Sequence, residues 1–173
     1  MKRENQNSGV RAATIIALLA FSSCGPEPEN GPHMPLELYI SAGLRDDLQS
    51  FQLTLVTKGS ELDCTEIQKS CVNSQLDSSR FVTHDENGST KSSWTFTLDS
   101  LESGSPSEQD VSLKGLKPGS DFALVVEAIS KESTPQLAGS SCNFVPKLQA
   151  GNNAAVTARI EKLTPYAPCD PRH

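Results

Sequence analysis

Val111-Ser-Leu-Lys-Gly-Leu-Lys-Pro-Gly-Ser-Asp-Phe-Ala-Leu-Val-Val-Glu-Ala128 is the stretch on which the fold class turns. A short strand candidate over Val111 to Leu113 leads to a Pro-Gly turn, and Phe122, Leu124 and Val126 then recur with period two. Ala123 and Val125 make the second face of that strand apolar too. Pro118 presets φ for a tight turn, Gly119 tolerates the positive φ such a turn requires, and Leu116 and Phe122 can anchor its two ends inside. The same period recurs outward in both directions. Leu36, Leu38 and Ile40 alternate with Glu37 and Tyr39, and Phe51, Leu53 and Leu55 with Gln52 and Thr54. Trp94, Phe96 and Leu98 alternate with Thr95 and Thr97, and Val156, Ala158 and Ile160 with Thr157, Arg159 and Glu161. Weaker strand candidates are Arg80 to Thr83 and Asn143 to Leu148.

Turn residues cluster between these runs at Asn87-Gly88-Ser89, Ser103-Gly104-Ser105-Pro106, Lys117-Pro118-Gly119-Ser120 and Gly151-Asn152-Asn153. Seven or eight short strands so punctuated predict an all-β fold, an antiparallel two-sheet sandwich with room for one short helix. The quoted stretch resembles the late-strand signature of fibronectin type III domains. There a strand ends in Leu, a Pro-Gly turn follows and an aromatic opens the next strand, as at Leu116, Pro118, Gly119 and Phe122. The resemblance implies an Ig-like sandwich. It covers about 18 of 173 residues, and Phe122 stands where the family has a tyrosine.

The first 24 residues carry an address. Met1 to Arg11 is polar with Lys2, Arg3 and Arg11 against Glu4, and Ala12 to Phe21 is a ten-residue apolar run. Ten helical residues span roughly 15 Å, half of a bilayer's hydrocarbon core, so the run predicts a signal peptide over 1–23 rather than a membrane span. Phe21-Ser22-Ser23-Cys24 resembles the bacterial lipobox, with Phe21 in place of the usual Leu. The resemblance implies cleavage before Cys24, acyl chains on its sulfur and membrane association through them. Two acyl chains suffice for stable anchoring. With Gly25 rather than an aspartate after the lipidated cysteine, it also implies the outer membrane of a two-membrane host, on either face. Residues 24–35, with four prolines and two glycines past Cys24, read as an extended tether, and 36–173 as the domain.

Five cysteines are present: Cys24, Cys64, Cys71, Cys142 and Cys169. Giving Cys24 to lipid leaves an even four for two disulfides. Thr65-x-x-Gln68 has capping-box spacing, and a helix over 65–72 would hold Cys64 and Cys71 about 10 Å apart, beyond the roughly 7 Å a disulfide tolerates. A local Cys64–Cys71 bridge and a helix therefore exclude each other. Local bridging, with Cys142–Cys169 tying down the last residues, is the simplest of three connectivities, all open at this point.

Without its leader the chain has 12 basic and 20 acidic residues, a net −8, which disfavours nucleic-acid binding. His33 falls in the tether, His84 beside a turn and His173 at the last position, and none has metal-ligand spacing to a second His or Cys. His84-Asp85-Glu86-Asn87 reads as a solvated turn, not a calcium loop. No nucleophile motif or phosphate loop occurs, and the expectation is no catalytic residue, no metal and no cofactor. Trp94 alternates with Phe96 and reads as core, with stacking on a sugar ring as the functional alternative. The expected function is a non-enzymatic envelope lipoprotein with a structural, protein-binding or glycan-binding sandwich. The alternatives are an accessory or sensor subunit of a transport or secretion complex and, last, an envelope hydrolase.

Overall fold

The computed structural model describes residues 31–41, 43–97, 107–109 and 116–173. The leader, Cys24, Leu98 and the candidate strand at 111–113 lie outside the described residues. In chain order the strands are β1 (Pro32–His33), β2 (Leu36–Ile40), β3 (Leu48–Thr57), β4 (His84–Glu86), β5 (Ser89–Lys91), β6 (Trp94–Thr97), β7 (Ser107–Gln109), β8 (Gly119–Ser130), β9 (Leu137–Leu148), β10 (Gly151–Asn152) and β11 (Val156–Ala167). Two four-residue helices, α1 (Cys64–Ile67) and α2 (Val72–Gln75), lie between β3 and β4.

Seven strands form one sheet in the order β6-β3-β8-β9-β11-β2-β7, and β1/β10 and β4/β5 are separate pairs. The fold is all-β, as the alternation predicts. The sheet is mixed rather than wholly antiparallel, because β11 serves two neighbours. Val156 to Ile160 pair in parallel with β2, residue for residue from Leu36 to Ile40, whereas Glu161, Lys162 and Ala167 pair antiparallel with β9. The sheet curls through this strand. Leu36, Leu38, Ala158 and Ile160 from its far part consequently share one core with Phe51, Leu53, Leu55, Leu124 and Val126 from its centre. These are the in-phase residues of four of the alternating runs.

The second face of β3 and β8 is buried as well. Val56 and Val125 form a smaller core with Ile67, Val72 and Phe81 from the crossover that carries α1 and α2. This is why β8 is apolar on both faces: it is a central strand with a layer on each side.

Several local expectations change. Leu116 and Phe122 are buried anchors of the Pro-Gly turn, but Gly119 has no positive φ; it opens β8, where a Cβ would lie 2.7 Å from the Phe122 ring. The left-handed residue is Asp121 (φ 63°), whose carboxylate accepts from the Ser60 N–H at 2.7 Å. Residues 32–35 belong to the folded body rather than the tether. β1 pairs with β10, and Met34, in phase with Leu36 and Leu38, is 1% exposed. Arg80 to Thr83 is not a strand; a 3-10 turn at Ser78–Arg80 runs into one bridge between Phe81 and Val56. Asn143 to Leu148 is the second half of β9. Asn87 and Gly88, both at positive φ, make the two-residue hairpin turn between β4 and β5.

The Thr65 capping box is not used. Asp63 caps α1, its Oδ1 accepting from the N–H groups of Thr65 (2.9 Å) and Glu66 (3.4 Å), and the helix stops after one turn. Cys64 and Cys71 then sit on separate turns and bond outward. The disulfides are Cys64–Cys142 and Cys71–Cys169, with Cα separations of 5.3 and 6.0 Å. The simplest connectivity fails for a topological reason. The crossover lies flat on the second sheet face, so each cysteine meets a partner on β9 or on the last segment before it can meet the other.

Candidate functional site

On the second face a polar row crosses the central strands. Gln52 of β3 stands opposite Glu127 of β8, which stands opposite Ser140 of β9. All three are buried, at 1%, 0% and 4% exposure. α2 begins directly above Glu127, whose Oε1 accepts from the Val72 N–H at 2.8 Å, while Oε2 and the Ser140 hydroxyl have no partner. Desolvation raises the Glu127 carboxyl from 4.5 to about 7, against the opposing hydrogen bonds from the Val72 backbone and the Gln52 side chain. A carboxylate nearly shut off from water is costly in its charged form, so the proton stays on to neutral pH.

Residues 169–173 form a strap beside this row, tied by Cys71–Cys169. Gln52 Nε2 donates to the Pro171 carbonyl and lies 2.8 Å from His173 Nδ1. Asn73 Nδ2 reaches the carbonyls of Asp170 (3.0 Å), Pro171 (3.3 Å) and Arg172 (3.5 Å), and Ser93 Oγ donates to the His173 carbonyl at 3.0 Å. The His173 ring sits 4.8 Å from that of Phe81. The row and its strap are the candidate site.

Of the described residues singled out from sequence, Cys71, Cys169 and His173 fall at this site and the others elsewhere. Trp94 is core, 9% exposed, and its ring stacks on a histidine rather than facing solvent. That histidine is His84, and the solvated-turn reading fails for it. His84 is 5% exposed, its ring is 4.0 Å from the Trp94 ring at an interplanar angle of 9°, and neither nitrogen has a hydrogen-bond partner. Asp85, Glu86 and Asn87 are exposed there as expected. Burial lowers the His84 pKa below its ordinary 6.5, opposed by Glu86 and Asp85. We expect its ring protons to titrate below pH 6.5 by NMR; a midpoint at or above 6.5 would contradict the buried stack. His33 is placed by its carbonyl, which accepts from the Asn153 N–H at 2.8 Å.

An open cavity of about 360 Å³ is lined by Asp46, Asp47, Lys131, Glu132 and Tyr166. Asp47 there is committed, accepting from Lys162 Nζ (2.6 Å) and Tyr166 OH (2.8 Å), and the bond to Lys162 leads the causes holding its carboxyl below the usual range. Among the described residues no three His, Cys, Asp or Glu side chains converge as a metal-holding set.

Sequence reasoning missed Gln52, Asn73, Ser93 and Glu127. One signal was present: Glu127 is the lone charge within Phe122 to Ile129. A charge inside a doubly apolar strand has to be buried. No protein-family model, curated protein or solved structure matches this chain.

Proposed function

We propose that the chain is a lipid-anchored protein of a bacterial cell envelope, whose β-domain works by binding rather than by catalysis. The observation that carries the reading is the cysteine pairing. Cys64, Cys71, Cys142 and Cys169 are all consumed in two disulfides, which leaves Cys24 as the fifth, placed at the end of a signal-like run. Structural disulfides suit an oxidising compartment outside the cytoplasm, and a single cysteine at that position is where lipid would be attached. We read the curled sheet as an Ig-like sandwich, a reading supported by the shared core across β2, β3, β8 and β11. The binding role is supported by the site chemistry. Its carboxyl is sealed under a helix and its polar side chains are aimed at main-chain carbonyls, an arrangement that holds a chain rather than activates a nucleophile.

Expression of the whole chain in a bacterial host tests the anchor. Intact mass of the mature protein should show a chain starting at an acylated Cys24, and Cys24→Ala should abolish acylation and move the protein from the membrane to the soluble fraction. A mature chain with a bare Cys24 thiol, or a variant still bound to membranes, would overturn the reading.

A further inference from the structure

The strap is held in a way that describes its groove. Four polar side chains from three parts of the chain converge on residues 170–173: Gln52 and Thr54 from β3, Asn73 from α2 and Ser93 from the loop before β6, the Thr54 Oγ1 lying 3.4 Å from His173 Nε2. Three of them address carbonyl oxygens of the strap's main chain. Of residues 170–173 only Pro171 is buried, while Asp170, Arg172 and His173 stay exposed. The Asp170 and Arg172 side chains pair with each other at 2.6 Å and outside the groove. What the groove holds is therefore main chain around one buried proline, followed by the His173 ring against Gln52, Thr54 and Phe81. Proline suits that use, since its fixed φ lowers the cost of ordering the segment and its carbonyl is a good acceptor. The strap's affinity need not be high, because the Cys71–Cys169 bond keeps it at high local concentration.

We propose that the groove between β3, α2 and the loop before β6 is a binding site for a proline-bearing peptide segment of a partner protein. The strap is its built-in occupant. This inference rests on the binding reading above and names the class of partner. Gln52 and Glu127, opposite each other on β3 and β8 and both fully buried, form its floor. A partner segment has to displace a strap whose anchor is covalent, so the site is self-occupied at rest.

The test uses the mature chain ended after Cys169, which keeps both disulfides and lacks 170–173, and a fluorescent heptapeptide copying 167–173 with serine for the cysteine. Saturable binding to the shortened chain is expected, at least tenfold weaker binding to the intact chain, and a loss of about tenfold on Asn73→Ala or on replacing the second of the peptide's two prolines, the copy of Pro171, by alanine. If shortening unfolds the domain, Pro171→Glu in the intact chain expels the strap and leaves the disulfide. Equal binding to shortened and intact chains, no binding to a folded shortened chain, or indifference to Asn73→Ala and to the proline would overturn the proposal. All of this is measured in solution on unacylated protein, so its failure leaves the result for Cys24 standing.

Discussion

Replacing both Cys71 and Cys169 by alanine is expected to lower the unfolding free energy by about 4 kcal/mol, read as a fall in the urea midpoint. The bond joins residues 98 apart in sequence, and cross-linking so long a segment removes much of the unfolded chain's freedom. The Cys64–Cys142 bond, across 78 residues, restricts the unfolded chain almost as much, since the entropy grows only with the logarithm of the loop. The two losses should nevertheless differ. Cys71 is fully buried, at 0% exposure, in a small cluster with Leu137 and Ala167, and its bond is the covalent anchor of the strap. Its removal frees 169–173 and strips partners from Gln52 and Asn73. We therefore expect the Cys71/Cys169 pair to cost more than the Cys64/Cys142 pair, and protease sensitivity to appear at 169–173 only in the former. Equal midpoints for wild type and both variants would show that the crossover and strap are held without their bonds.

That crossover is also where sequence reading stopped working. Alternation identified β2, β3, β6, β8 and β11 because each has a face in the main core, and a period of two follows directly from that. It says nothing of what lies on the other face. Gln52 and Thr54 look like solvent-facing residues between Phe51, Leu53 and Leu55, yet they are 1% and 0% exposed because the crossover and strap land on them. The doubly apolar β8 did announce a second layer, but a pattern within one strand cannot say which segment supplies it. Disulfide pairing was illegible for the same reason: it depends on where 59–81 comes to rest on the sheet, a long-range fact. His84 was misread because polar neighbours, Asp85 and Glu86, mark a turn correctly while a hairpin's first residue can still point inward. Met34 was misread in the opposite sense. Its prolines suggested a tether, although its spacing from Leu36 and Leu38 already continued the strand period.

Glu127 gives the second large effect. Its carboxyl rises from 4.5 to about 7 on folding, so between those values the native state holds a proton that the unfolded chain releases. Stability from this group is fully present below about pH 4.5 and is lost as pH rises through 7, a fall of about 3 kcal/mol over the window. His84 acts in the opposite sense. Its pKa is lowered on folding, so the unfolded chain binds the extra proton and stability falls as pH drops below 6.5. The two slopes oppose each other below about pH 6.5, and the wild-type curve should descend most clearly from there to pH 8. Glu127→Gln separates them. The amide oxygen can still accept from the Val72 N–H, but nothing ionises, so the descent toward pH 8 should vanish and the rise due to His84 should remain. At pH 8 the variant should be the more stable protein by up to about 3 kcal/mol, less the cost of burying an amide without a full set of partners. Urea unfolding of both proteins at pH 5, 6.5 and 8 decides it. If the variant keeps the wild-type slope, the carboxyl is not sealed under α2, and the floor assigned to the groove is wrong with it.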